Sequence, residues 1–258
     1  MSIHPTAIID PAAKVPESCT IGPYCVVGSG VELGENNELV AHVVLQGPAK
    51  LGDGNKLFPF ASIGMGPQDL SYKGEPTRLE VGDRNHFREY VTVHRGTTKG
   101  GGLTHIGSDC LIMAYAHIAH DCYVGNKVIM ANAATLAGHV TVEDFAVVGA
   151  LSPVHQFVRI GTHAYIGGGT TITQDVLPFS KTVASRNVSA YGANSIGLRR
   201  RGFSEERIRR IHHVYKVLLA SKLNTSQALA KLKSEGDQGE DVAMLIEWIE
   251  KSERGVIK

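Results

Sequence analysis

An aliphatic residue returns at every sixth position along most of this chain. Ile3, Ile9, Val15, Ile21, Val27, Leu33, Leu39, Leu45, Leu51, Leu57 and Ile63 form one unbroken series, and Val81, Phe87 and Val93 resume it in the same phase. A second series runs Ile106, Ile112, Ile118, Val124, Met130, Leu136, Val142, Val148, Val154, Ile160, Ile166, Ile172. Helices repeat every ~3.6 residues and strands every ~2, so neither produces this beat. The pattern specifies a parallel β-helix, in which one hexad makes one flat face and three hexads make one coil. About 26 hexads predict eight to nine coils, a prism roughly 40 Å tall at ~4.8 Å per coil. The Gly, Asn or Asp that follows the aliphatic residue in many hexads is expected at a corner, where positive φ is tolerated.

The breaks in the beat are as informative as the beat. Residues 65–78 (MGPQDLSYKGEPTR) interrupt it after Ile63, and residues 99–105 (KGGGLTH) interrupt it after Val93. Counting three hexads per coil puts the hexads at 63, 93 and 118 on one face of successive coils. Both insertions then leave from one corner, one coil apart, and insertions of repeat proteins gather on the working side. The same count stacks His120, Gly138 and Gln156 in one column, Asp121, His139 and Phe157 in the next, and Ala119, Ala137 and His155 in a third. His94 falls one coil below, at the slot of Ala119.

The coil is expected over residues 1–190, and residues 191–258 read as a C-terminal helical domain. Ser204 is a predicted N-cap, with Glu205 and Glu206 in the first turn and apolar Ile208, Ile211, Val214, Tyr215 and Leu218 behind it. NTSQALAKLKSEG and EDVAMLIEWIEKSERG read as two further amphipathic helices. A net charge of +1 offers no global field for nucleic acid or an acidic membrane. Cys19, Cys25, Cys110 and Cys122 form no CxxC pair and are expected to be reduced and structural. With no leader-like segment and no 18-residue apolar run, a cytoplasmic protein without an integral membrane segment is expected.

His120-Asp121, beside both insertions, is the sharpest chemical candidate. An imidazole can take a proton from a hydroxyl while a carboxylate orients the ring. Neighbours on a strand point to opposite sides, which would leave Asp121 a structural role instead. The Gly138 amide could donate to a developing oxyanion. Arg199, Arg200 and Arg201 could clamp a diphosphate, and Gln68-Asp69 could hydrogen-bond a sugar. The histidine cluster could alternatively hold zinc, but the reading adopted assigns no metal.

GEPTRLEVGDRN, VTVHRGT, KGGGLTHIGSD, AHIAHDCYVGN, ATLAGHVTVEDFAVVG, VHQF and RRRGFS, in that order and spacing, closely resemble the bacterial UDP-N-acetylglucosamine O-acyltransferase family over essentially the whole chain. The resemblance implies a mainly β protein, a left-handed parallel β-helix followed by a C-terminal α-helical domain, assembled as a homotrimer with active sites between subunits. It implies transfer of a 3-hydroxyacyl group from acyl carrier protein to the glucosamine 3-hydroxyl of UDP-N-acetylglucosamine, the first step of lipid A synthesis. The only prosthetic group is then the donor's phosphopantetheine, and the protein itself needs no cofactor. Carried onto this sequence, His120 is the general base, Asp121 its orienting partner and the Gly138 amide the oxyanion donor. Gln68 and Asp69 contact the sugar, and His94, His117, His139, His155 and Gln156 line the nucleotide-sugar and pantetheine pocket. Asn194, Arg200 and Arg201 reach the UDP portion. Gly168, two to three coils above His120 or ~12 Å by coil spacing, limits acyl length, with a chain of around fourteen carbons expected.

Two places in the chain depart from the family pattern, and the acceptor atom is a third open point. Ser71 stands where a lysine is usual, with Lys73 the nearest substitute. Ala184-Ser185-Arg186-Asn187 replaces a Gly-Asn-x-Ala stretch. Some relatives accept on a 3-amino sugar, so the alternative reading is a hexapeptide acyltransferase acting on a related acceptor, by transfer to a 3-amino UDP-sugar or by N-acylation.

Overall fold

The residues of the six-residue series turn inward on three parallel sheets that wrap a single apolar column. The computed structural model describes residues 2–184, 189–237 and 239–258; of the Ala184–Asn187 departure, residues 185–187 lie outside these. The first face holds eleven strands, ten of them parallel rungs from Ser2–Ile3 up to Ser180–Val183. Its last strand, Ser189–Ala193, turns back antiparallel, which no periodicity announced. The second face holds eight strands and the third seven. The coil is left-handed. Its height, nine spacings on the first face, is roughly 43 Å.

Leu39, Leu45, Leu57, Ile63, Ile118 and Leu136 are fully buried, each contributing about 1.5–3 kcal/mol by leaving water. Ile3, on the lowest rung, stays 38% exposed because no coil lies beneath it. Inside the corner between the third and first faces, Asn37, Asn55 and Asn85 form a buried ladder. The Asn37 and Asn55 side chains accept from the next asparagine's N–H at 2.9 and 3.0 Å, and Asn85 accepts from Cys110 N–H at 2.8 Å. These amides satisfy polar backbone that the interior would otherwise strand.

The corners correct the expectation for glycine. Positive φ falls three residues after the inward aliphatic, as at Tyr24, Asp121, His139 and Phe157, and not at the glycine that follows it. That glycine is needed for a different reason. A Cβ on Gly22 would overlap the carbonyl of Val40, and one on Gly125 would overlap the Asp144 carboxylate in the coil above. The position between them, two after the aliphatic, has no rung to donate to. Pro5, Pro11, Pro23 and Pro59 all stand at that place, where a missing N–H costs nothing.

Both insertions leave the corner between the second and third faces. The first lies between strands Ser62–Met65 and Arg78–Val81, and the second between Thr92–His94 and Leu103–Ile106. Leu103, Thr104 and His105, expected in the second loop, are already strand, paired with Arg78, Leu79 and Glu80. The inserted segment is therefore residues 95–102.

Four α-helices close the top: α1 (Ser195–Arg200), α2 (Glu205–Tyr215), α3 (Thr225–Ser234) and α4 (Glu240–Glu250). Ser204 caps α2 by accepting from Arg207 N–H, and Asn224 with Gln227 forms a capping box on α3. The helix α1 adds to the three helices that the sequence predicts, and Arg199 and Arg200 lie within its last turn. The helices share a second apolar cluster with Leu177 and Phe179 of the coil. Trp248 of α4 fixes them to the third face, donating to Glu143 Oε1 at 2.9 Å beneath the Arg159 guanidinium.

Because the clash at Gly22 is with backbone, Gly22→Ala is expected to cost about 3 kcal/mol. Gly74→Ala, in open space but at φ 93°, should cost only about 1 kcal/mol of backbone strain. Thermal denaturation of the two variants measures the difference, and equal midpoints would refute the space argument.

Candidate active site at the corner of two loops

His120 and Asp121 turn the corner between the second and third faces. Asp121 has φ 59°, so the strand rule that would send neighbouring side chains to opposite sides does not apply. His120 Nδ1 lies 2.8 Å from Asp121 Oδ2. A carboxylate there accepts from Nδ1–H, which leaves the lone pair on Nε2. The Asp121 side chain is only 1% exposed. It also accepts from Thr97 N–H and Thr97 Oγ1–H, each at 2.7 Å. One buried group thus orients the imidazole and anchors the second loop. Gly100 of that loop packs on the carboxylate so closely that a Cβ would overlap it.

Gly138 stands one coil above His120. A Cβ there would lie 2.5 Å from His120 Cε1 and 2.9 Å from Nε2, so glycine makes room for the ring. Its N–H occupies the corner position that proline takes elsewhere, and no acceptor among the described residues takes it. His139, stacked on Phe157 at 4.4 Å, sits edge-on to His120 at 5.3 Å, with Nε2 3.7 Å from Asp121 Oδ2. Burial pushes its pKa down.

On the adjoining second face, His94 and His117 meet edge to face at 5.0 Å. His117 Nδ1 is 2.7 Å from Thr92 Oγ1, while His94 is buried with Nδ1 unpartnered. Burial lowers both pKa values, that of His94 to about 4, with His117 and His120 adding to the effect. His155 and Gln156 are exposed higher on the same edge. In the first loop, Gln68 is exposed and Asp69 half-buried. The Ser71 N–H holds the Asp69 carboxyl below its usual range, helped by the Ser71 hydroxyl and the nearby Lys99 ammonium.

The cation at Ser71 is not that of Lys73. Lys99 Nζ, from the second loop, donates to Ser71 Oγ at 3.1 Å, whereas Lys73 directs its backbone N–H to Glu75. Residue periodicity carried no signal for Thr97, Lys99 or Arg95. Arg95 braces the first loop through Gly47, the Gly64 carbonyl and the Tyr72 hydroxyl.

Asn194, Arg200, Arg201 and Gly168 do not join His120 within one chain. Asn194 caps α1 and donates to the His163 carbonyl at 3.2 Å, and Arg201 lies over the Phe145 ring. These mark the corner between the third and first faces, beside a cavity of about 770 Å³ that Tyr165 and Lys181 also line. Arg199 is paired with Glu205. Gly168 sits above Ala150 on the corner between the first and second faces, across the second face from His120.

His120, Asp121 and His139 offer ligand atoms within 4.8 Å of one another, a set that could surround a metal ion. The Asp121 oxygens already accept three hydrogen bonds, from Thr97 and His120, with which a cation would compete. The arrangement suits proton transfer better. Among the described residues, no helix is long and apolar enough to cross a membrane.

A family model for bacterial transferase hexapeptides matches residues 12–47 and 103–138, and one described as domain 2 of UDP-N-acetylglucosamine O-acyltransferase matches residues 175–257. The chain is 49% identical over 256 residues to the acyl-[acyl-carrier-protein]–UDP-N-acetylglucosamine O-acyltransferase of Thermodesulfovibrio yellowstonii, covering 99% of each. It is similar to the solved UDP-N-acetylglucosamine O-acyltransferase of Moraxella catarrhalis, with TM-score 0.95, 40% identity and all of both chains covered. The UDP-N-acetylglucosamine acyltransferase of Francisella novicida matches with TM-score 0.95 and 38% identity, over 99% of this chain and 93% of that one.

The buried, neutral His94 gives a pH signature. Between its ordinary value of 6.5 and about 4, the unfolded chain binds a proton that the folded chain does not. Its contribution is therefore complete above pH 6.5 and declines as pH falls towards 4, by at most ~1.4 kcal/mol per pH unit. His94→Phe should flatten the stability profile across that window in denaturant titrations. An unchanged slope would show that His94 accepts its proton in the folded state.

Proposed function

This chain belongs to the UDP-N-acetylglucosamine O-acyltransferase family, and we propose that its corner site carries out that family's transfer in the first step of lipid A synthesis. A (3R)-3-hydroxyacyl chain passes from acyl carrier protein to the 3-hydroxyl of UDP-N-acetylglucosamine. The observation that carries this reading is the His120–Asp121 pair, whose Nε2 lies beside Gly138, neither Nε2 nor the Gly138 N–H having a partner among the described residues.

His120 Nε2 takes the proton of the sugar 3-hydroxyl while that oxygen attacks the thioester carbon. The imidazolium that forms is stabilised by Asp121 at Nδ1. The carbonyl oxygen becomes an oxyanion facing the Gly138 N–H, a fixed donor that needs no reorganisation. Collapse breaks the carbon–sulfur bond, and the pantetheine thiolate leaves with the proton from His120. Asp69 and Gln68 hold the acceptor sugar. His94, His117, His139, His155 and Gln156 line the channel between sugar and pantetheine. The chemistry needs no metal and no cofactor beyond the donor's phosphopantetheine.

Asn194, Arg200 and Arg201 lie on a different corner from His120, which supports a site completed between subunits of a homotrimer. In that arrangement one chain supplies His120 and the next supplies the UDP contacts. Gly168, with no side chain to obstruct the groove, suits an acyl chain of about fourteen carbons. The near-neutral net charge gives no reason to expect nucleic acid as a partner. The absence of a spanning helix among the described residues is consistent with work in the cytoplasm.

His120→Ala should lower kcat by about 10²–10⁴-fold, the usual contribution of a general base, in assays with UDP-N-acetylglucosamine and 3-hydroxyacyl carrier protein. An undiminished rate would remove His120 from the chemistry. The shared site has its own test. His120→Ala and Arg201→Ala subunits, each weak alone, should regain activity when refolded together, because some interfaces then join intact halves. Mixtures no better than their components would place the whole site within one chain.

A further inference from the structure

The two loops meet through a hydrogen bond that the reaction above does not use. Lys99 Nζ, on the tight helical turn Thr98–Gly100, donates to Ser71 Oγ at 3.1 Å. Ser71 N–H in turn donates to Asp69 Oδ1 at 2.7 Å. The other side of the Lys99 turn is fixed by Thr97, both of whose donors bind Asp121 at 2.7 Å. A continuous chain of contacts therefore runs from His120 through Asp121, Thr97, Lys99 and Ser71 to Asp69. It links the proposed general base to the proposed sugar contact across the mouth of the site.

We propose that Lys99 is a positioning residue: its ammonium, held on Ser71, latches the first loop to the second and so fixes Asp69 against the acceptor sugar opposite His120. The inference rests on the acyltransferase reading. Lys99 is exposed, and exposed polar contacts of this kind add little to stability. Its effect is on geometry. The first loop is otherwise held by Arg95 at its base, through the Tyr72 hydroxyl and the Gly64 carbonyl. Ser71 is the contact nearest Asp69. When the latch opens, the fraction of protein with Asp69 in place falls, and apparent affinity for the sugar falls in proportion.

Steady-state kinetics with each substrate varied tests this. Lys99→Met, which keeps the apolar stem, should raise KM for UDP-N-acetylglucosamine roughly tenfold. The KM for acyl carrier protein and the thermal midpoint should stay near wild type. Ser71→Ala should act in the same direction. Lys99→Arg, which keeps a cationic donor facing the Ser71 hydroxyl, should retain most of the affinity. Since Lys99 acts through Asp69, Lys99→Met should add little to an Asp69→Asn background. A wild-type KM in Lys99→Met, a KM in Lys99→Arg as high as in Lys99→Met, or full additivity with Asp69→Asn would each overturn the proposal. Wild-type protein that makes no acylated product would instead overturn the functional reading on which it rests.

Discussion

Close stacking of one coil on the next is the constraint from which the rest of this molecule follows. The aliphatic ladder is buried only because another coil lies above and below each rung, as the exposed Ile3 at the open end demonstrates. Stacking at rung distance leaves no room for a Cβ at Gly22 or Gly125. It turns most corners in a single residue of positive φ, even where that residue is Tyr24, Asp121 or Phe157. Such residues carry about 1–2 kcal/mol of backbone strain each. The inter-coil hydrogen bonds, with His139 N–H on His120 O and Phe157 N–H on Gly138 O, hold them there.

The candidate site uses that same corner geometry. Between the inward aliphatic and the positive-φ residue lies one position whose N–H has no rung to join. Proline occupies it on several coils, and Gly138 occupies it beside His120. The fold thus provides an unpaired donor at a rigid place, which an oxyanion site requires. Positive φ at Asp121 brings its carboxylate onto the preceding imidazole, where a flat strand would have separated them. A corner that turns the chain thereby becomes a corner suited to handle a proton, through the choice of three residues, His120, Asp121 and Gly138.

Much of this was legible in sequence because stacking imposes a period. The ladder, the shared corner of both insertions and the His120–Gly138 column all follow from counting by six and eighteen. Insertions carry no period, so the latch between Lys99 and Ser71, the brace by Arg95 and the Thr97 anchor were beyond that count. The start of strand at Leu103 was hidden for the same reason, since the resumed ladder marks Ile106 and not the residues pairing ahead of it. The glycines were located correctly and explained wrongly. Spacing shows that a small residue recurs, but only the neighbouring coil shows whether it is wanted for its φ or for its missing Cβ. The asparagine ladder contradicts hydropathy outright, because Asn37, Asn55 and Asn85 are buried by backbone demand.

The three corners of the prism also bear on why one chain should be insufficient. A triangular coil turns its three edges in different directions, so residues on separate corners cannot converge on one small molecule. His120 is on one edge, Asn194 and Arg201 on a second, and Gly168 on a third. On the reading proposed above, the nucleotide sugar and the acyl chain it receives together meet all three. Placing prisms side by side brings different edges of neighbouring copies together and leaves every coil intact. Threefold closure, as in the homotrimer proposed above, would repeat that junction and leave no half-site unused. The rigidity that makes the coil a precise scaffold for His120 and Gly138 is thus also the physical argument for the proposed assembly: edges that cannot bend towards one another within a chain can meet only between chains.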